Sequence, residues 1–157
     1  MDSKTLITEI SRYFDIRELV SKAVYDKETT GAWRLFDPRL LETLLVLRRD
    51  ILRVPLVCNN WRSGGELQQR GFRENTCQIV RDKTDFDVLY ISAHVLGKAV
   101  DLSSPQMDAN TMRKEIQKQA DKLPYPVRVE GAKGASSWLH IDVATSHLQR
   151  EKVLIFN

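Results

Sequence analysis

Residues 92 to 101 read Ser-x-His-x-x-Gly-x-Ala-x-Asp, with the imidazole of His94 and the carboxylate of Asp101 set among Ala, Val and Leu. A second imidazole, His140, stands in the middle of the apolar run "SWLHIDV". A polar ring buried there costs free energy unless it finds a partner. Two imidazoles and one carboxylate make three protein ligands, the number a catalytic zinc site uses when its fourth position is left to water. Each group taken alone reads more simply as a satisfied structural residue. The remaining histidine, His147 in "TSHLQRE", has no evident partner and reads as a surface residue.

His140 is far along the chain from His94 and Asp101, so folding must bring the three together. "KAVDL" reads as a strand carrying Asp101, and "PVRVE" and "SWLHIDV" as two strands joined by "GAKGAS". Side chains alternate across a strand. Leu139, Ile141 and Val143 therefore share one face of the last run, with Trp138, His140 and Asp142 on the other. In the preceding run, Val127 and Val129 leave Arg128 and Glu130 opposite. A hairpin with both apolar faces inward collects Arg128, Glu130, Trp138, His140 and Asp142 on one surface, with Glu130 across from Trp138. A slip of one residue would scatter them.

The rest of the chain supplies a scaffold. Asp2 or Ser3 caps a short helix bearing Leu6, Ile7, Ile10 and Phe14. A second helix is predicted through "IRELVSKAVYDK" and a third through "DPRLLETLLVLRRDIL", where Asp37 is the N-cap and Pro38 the first helical residue. "PLVCN" reads as a short strand, residues 60 to 90 as a long irregular segment, and "DANTMRKEIQKQADKL" as a helix capped by Asp108 with Met112, Ile116 and Leu123 inward. The tail "KVLIF" adds an edge strand. The expectation is one α+β domain over 1–157: helices in 1–53, then a small antiparallel sheet with a single metal site in 54–157.

Bulk properties narrow the classes. A net charge of +3 across 157 residues is too mild to argue for a nucleic-acid partner. No apolar run approaches the roughly 18 residues of a membrane span. "MDSKTLITEISRYF" lacks the basic start and apolar core of a signal peptide, which implies synthesis in the cytosol. Cys58 and Cys77 fit no disulfide framework or zinc knuckle and read as free thiols. A monomer is expected.

Ser92, His94, Gly97, Ala99 and Asp101, followed downstream by Trp138-x-His140, resemble the zinc D-alanyl-D-alanine carboxypeptidases. That superfamily also contains the vancomycin-resistance D,D-dipeptidases, phage L-alanyl-D-glutamate endolysins and the hedgehog signalling domain. The resemblance covers roughly residues 55 to 143 and leaves out the helical first part. It implies a hedgehog-like fold and one zinc ion held by His94, Asp101 and His140, with Gly97 turning the chain between the first two. It also implies hydrolysis of peptidoglycan stem or cross-link peptides, of the D-Ala-D-Ala carboxypeptidase or endopeptidase type. With no evident export signal, a phage or prophage lytic role fits best, the enzyme reaching the wall on lysis or with a virion.

Such a peptidase needs a carboxylate to take a proton from water and deliver it to the leaving amine. Many relatives place a Glu three residues before the second zinc histidine; here Ser137 stands there. The strand pattern nominates Glu130 as general base and acid, with Asp142 as runner-up or as a group that orients a ligand. "NNWRSGG" loosely matches the stretch whose arginine holds a substrate carboxylate in relatives, which nominates Arg62. Arg70, Arg73 and Arg128 compete for that role. Ser92 is expected to hydrogen-bond the substrate backbone, and Trp138 to wall the cleft. The same fold with zinc but without catalysis, as a binding or structural module, is the alternative that Ser137 favours.

Overall fold

Short polar side chains set where the helices begin. The computed structural model describes residues 1–84, 89–146 and 148–157, so His147 lies outside the described residues. Asp2 caps α1 (Ser3–Ile10) by accepting the N–H groups of Lys4 and Thr5. Asp15 and Glu18 form a reciprocal capping box on α2 (Ile16–Leu19). Ser21 caps α3 (Lys22–Glu28), and a 3-10 segment follows over Thr29–Leu35. Asp37 caps α4 (Pro38–Val46), which runs on through a π-turn at Leu47–Ile51. Among the described residues of 60–90 there is one further short helix, α5 (Gln78–Lys83), and a 3-10 turn at Trp61–Ser63. Asp108 caps α6 (Ala109–Lys118), whose Met112 and Ile116 are buried as expected.

The helix predicted through "IRELVSKAVYDK" is two helices. Val20 is extended (φ −127°, ψ 163°) and Ser21 starts afresh. The interruption frees carbonyls that a continuous helix would have used internally. Leu19 O accepts the Phe72 N–H at 3.0 Å, and Val20 O accepts Asn59 Nδ2 at 3.1 Å and Trp61 Nε1 at 2.8 Å. The Asn59 N–H reaches Glu18 O at 2.9 Å. These bonds fasten the segment from Asn59 to Phe72 onto the helical half.

Four strands form one sheet in the order β1 (Ala99–Leu102), β3 (Leu139–Asp142), β2 (Val127–Glu130), β4 (Val153–Phe156). The first three are antiparallel, but β4 lies parallel to β2, so the sheet is mixed where an antiparallel one was expected. The tail is an edge strand, yet a short apolar run carries no mark of its direction. Among the described residues "PLVCN" makes a single isolated bridge, between Val57 and Ser103, rather than a strand. Val127, Val129, Leu139, Ile141 and Val143 join one buried cluster with the leucines of α4 and with Met112 and Ile116.

In the hairpin, Arg128 pairs with Asp142 and Val129 with Ile141, and continuing that register sets Glu130 opposite His140. Glu130 had been expected opposite Trp138. A shift of two residues preserves the face on which every side chain sits. Buried Arg113 of α6 holds the hairpin loop: it donates to Glu130 O and to Trp138 O, both at 2.8 Å, and to Ala135 O.

Gly97 has φ +65°, and a Cβ there would run into the Leu35 carbonyl. Gly97→Ala is expected to lower unfolding free energy by at least about 2 kcal/mol. Urea denaturation with an unchanged m-value checks this.

Candidate metal centre

The turn through residues 93–97 reverses the chain, so that His94 and Asp101 face each other across it. Gly97 N–H bonds to His94 O at 3.2 Å, and Lys98 N–H bonds to Ala93 O at 2.7 Å. The chain then enters β1, where Asp101 is paired with His140 of β3. His94 is 3% exposed and Asp101 6%. The three groups therefore share one mostly buried point in the wall of a cleft of about 420 Å³.

The ligand-type atoms converge. His94 Nε2 lies 3.3 Å from His140 Nδ1 and 3.4 Å from Asp101 Oδ1. His140 Nδ1 lies 2.8 Å from Asp101 Oδ1. Each remaining polar atom is also engaged. His94 Nδ1 donates to Gly71 O at 2.8 Å, which leaves the Nε2 lone pair facing the centre. His140 Nε2 donates to Asp142 Oδ2 at 3.2 Å. Asp101 Oδ2 accepts from Arg73 Nη2 at 3.2 Å. Outer partners of this kind fix the tautomer and orientation of metal-ligating imidazoles.

The charges follow from this network. Burial alone would raise the Asp101 carboxyl, but the hydrogen bond from His140, with the His94 ring close beside it, outweighs burial and holds the group well below the ordinary carboxylate range. Burial would lower the His140 imidazolium, yet Asp101 and Asp142 together hold it up at about 9. Asp142 is likewise held low against burial, by His140 and Arg128. His140 therefore carries a proton at neutral pH, and that proton sits among three groups able to ligate a cation.

The donor set fits such a cation. Two imidazole nitrogens and a carboxylate oxygen suit a borderline divalent ion, and a tetrahedron with 2.0–2.1 Å arms has edges of about 3.3–3.4 Å. Two of the three separations match that edge; the third is shortened by the hydrogen bond. His94, Asp101 and His140 could thus hold a metal ion.

Around this centre the structure sorts the remaining candidates. Glu130, Trp138, Ser92 and Arg128 line the cleft. The Glu130 carboxylate makes no hydrogen bond among the described residues, and it occupies the space that a side chain at Gly134 would need. Ser92 Oγ accepts the Val95 N–H at 3.3 Å, which leaves its proton for a ligand. Ser137 is exposed beside the cleft. Arg128 is bound to Asp142 through Nε (2.8 Å) and Nη2 (3.1 Å), with its guanidinium 5.1 Å from the Phe156 ring centre.

Several candidate roles change. Asp142 is fully buried, and both its oxygens are occupied by Arg128, His140 and the Ala144 N–H. It orients His140 and has no oxygen open for proton transfer. Arg62 does not line the cleft; it pairs with Asp15 at 2.9 Å, because the interrupted helix pulls its loop toward α2. Arg70 bonds Ser103 Oγ at 3.0 Å and lines a neighbouring hollow. Arg73 neutralises Asp101. Gly71, Arg113 and Phe156 carried no role in the sequence reading. Phe156 packs edge-on against His140, 5.8 Å between ring centres. Only the "RGFR" stretch offered a signal, a glycine between two arginines, and it could not reveal that the Gly71 carbonyl meets an imidazole.

Removing Asp142's hold on His140 with Asp142→Asn is expected to weaken divalent-ion affinity about 10–100-fold, as read by competition against a chromogenic chelator. Chelator-treated protein is expected to lose stability as pH rises. His140's folded value of about 9 exceeds its ordinary 6.5, so its contribution is full below 6.5 and lost on passing 9. Urea midpoints across that interval check the sign.

No family model, curated protein or solved structure matches this chain, so the centre is known by its own geometry.

Proposed function

We propose that this chain is a zinc-dependent peptidase of cell-wall peptides, in keeping with its resemblance to the zinc D-alanyl-D-alanine carboxypeptidases and their hedgehog-like fold. The observation that carries the reading is the meeting of His94 Nε2, Asp101 Oδ1 and His140 Nδ1 in an open cleft with an unengaged carboxylate, Glu130, on its wall. Zinc is the ion of choice for this nitrogen-rich, three-ligand set. Bound there, it would supply Lewis acidity toward a peptide carbonyl and toward water.

The protein's own groups do the rest. Glu130 accepts the proton of the attacking water on a carboxylate oxygen and returns it to the leaving nitrogen, so hydroxyl goes to the acyl carbon and hydrogen to the amine. Asp142 and Gly71 O fix the two imidazoles. Trp138 walls the cleft, and the Ser92 hydroxyl offers a proton to a substrate carbonyl. Peptidoglycan stem or cross-link peptides are the substrate class, and a lytic role at the wall, of phage or prophage origin, is the setting. The exposed Ser137, at the position where relatives carry glutamate, favours a second reading: a zinc-containing binding module without catalysis. Among the described residues no helix is long and apolar enough to cross a membrane.

Glu130→Gln is expected to retain one zinc per chain and to lose about 10²–10⁴-fold in kcat on muropeptides. Metal analysis beside chromatography of the digests tests both halves. Full activity in the variant would remove Glu130 from the mechanism, and an inert wild type would favour the binding module.

A further inference from the structure

The sheet has two edges, and the chain treats them differently. The outer side of β1 is covered: the Asp101 N–H is held by Arg70 O at 2.7 Å, and Val57 bridges Ser103 just beyond the strand. The outer side of β4 is bare among the described residues. On its inner side, the Val127 N–H donates to Lys152 O at 2.9 Å and the Gly131 N–H to Phe156 O at 2.7 Å. Backbone groups alternate along a strand, so Val153 and Ile155 turn their N–H and C=O groups away from the sheet.

An open edge recruits further strands unless a charge, a proline, a bulge or a cover blunts it. Val153–Phe156 carries no charge and no proline, and its register with β2 is unbroken. It exposes Leu154 and Ile155 instead, each to 37%. Leu154 lies beside Arg128 on the cleft face, and Ile155 beside Val129 on the opposite face.

This edge matches itself. Two identical strands related by a two-fold axis within one sheet run antiparallel, and outward-facing residues pair with outward-facing ones. Setting Val153 against Ile155 of a second copy puts the axis at Leu154, which then meets its own counterpart. The register makes about four backbone hydrogen bonds. It also sets apolar side chains against apolar ones on both faces.

From the bare edge and its self-matching register we infer that β4 pairs with β4 of a second copy of this chain, in place of the monomer expected from the sequence. The two four-stranded sheets become one, and an axis perpendicular to that sheet turns both clefts toward the same side. Phe156 belongs both to β4 and to the cleft wall, so the interface borders the metal centres. The inference uses only the sheet edge and is independent of the peptidase reading.

Sedimentation equilibrium and amide hydrogen exchange on the wild-type chain test it first. Mass is expected to double as concentration rises. The Val153 and Ile155 amides are expected to exchange at least about tenfold more slowly in the dimer, with the Leu154 amide, bonded to β2, as the internal control. Leu154→Lys and Leu154→Glu each set like charges against each other across the axis, and each alone is expected to weaken association at least about tenfold. Mixing the two variants is expected to restore a dimer. Circular dichroism and thermal midpoints check that both fold; should either fail, the wild-type amides decide alone. A wild type that stays monomeric at millimolar concentration overturns the inference. So does association that leaves the Val153 and Ile155 amides unprotected, or a mixture of folded variants that stays monomeric.

Discussion

A carboxylate as buried as Asp101 would take up a proton unless positive groups surrounded it. Much of the architecture supplies those groups. Arg73 reaches one oxygen and the protonated His140 ring the other, where His94 Nε2 also lies close. The Asp101 backbone N–H is held by Arg70 O at 2.7 Å. The resulting knot keeps the carboxylate ionised, and an ionised carboxylate beside two imidazoles is what a divalent cation requires. Proton and metal are therefore competitors for one place.

The helical half matters to this knot although none of its side chains enters it. The break at Val20 exposes two carbonyls, and these fasten the loop that brings Gly71 O to His94 and Arg73 to Asp101. Gly71 itself packs so closely on Leu19 that a Cβ would collide with the Leu19 carbonyl. At the opposite end, Arg113 ties three carbonyls of the hairpin, which fixes Glu130 and Trp138 relative to His140. A buried guanidinium with carbonyl partners serves as a rigid brace, because its planar fork is directional.

The cleft combines fixed and free groups. Asp142, Arg128 and Phe156 form a locked stack against His140, so they orient without reacting. Glu130 and the Ser92 proton are left unengaged. Held and available polar groups thus lie side by side in the cleft, whereas in a purely structural ion-pair network every group is satisfied.

Residue types and spacing alone pointed to the grouping of His94, Asp101 and His140, to caps at Asp2 or Ser3, at Asp37 and at Asp108, and to the face on which Glu130, His140 and Asp142 sit. The caps and faces follow from residue type and from periods of two or 3.6, which are local properties of the backbone, and the grouping of ligands from their types and from the family resemblance. Long-range packing instead set Asp142 as the partner that orients His140, placed Arg62 on Asp15 outside the cleft, broke "IRELVSKAVYDK" at Val20, and laid β4 parallel to β2. Each of those outcomes turns on a partner dozens of residues away or across the sheet: Arg128 for Asp142, Asp15 for Arg62, Asn59 and Phe72 for the broken helix, β2 for the tail. Local pattern fixes which way a side chain faces. Which group waits there is set by packing.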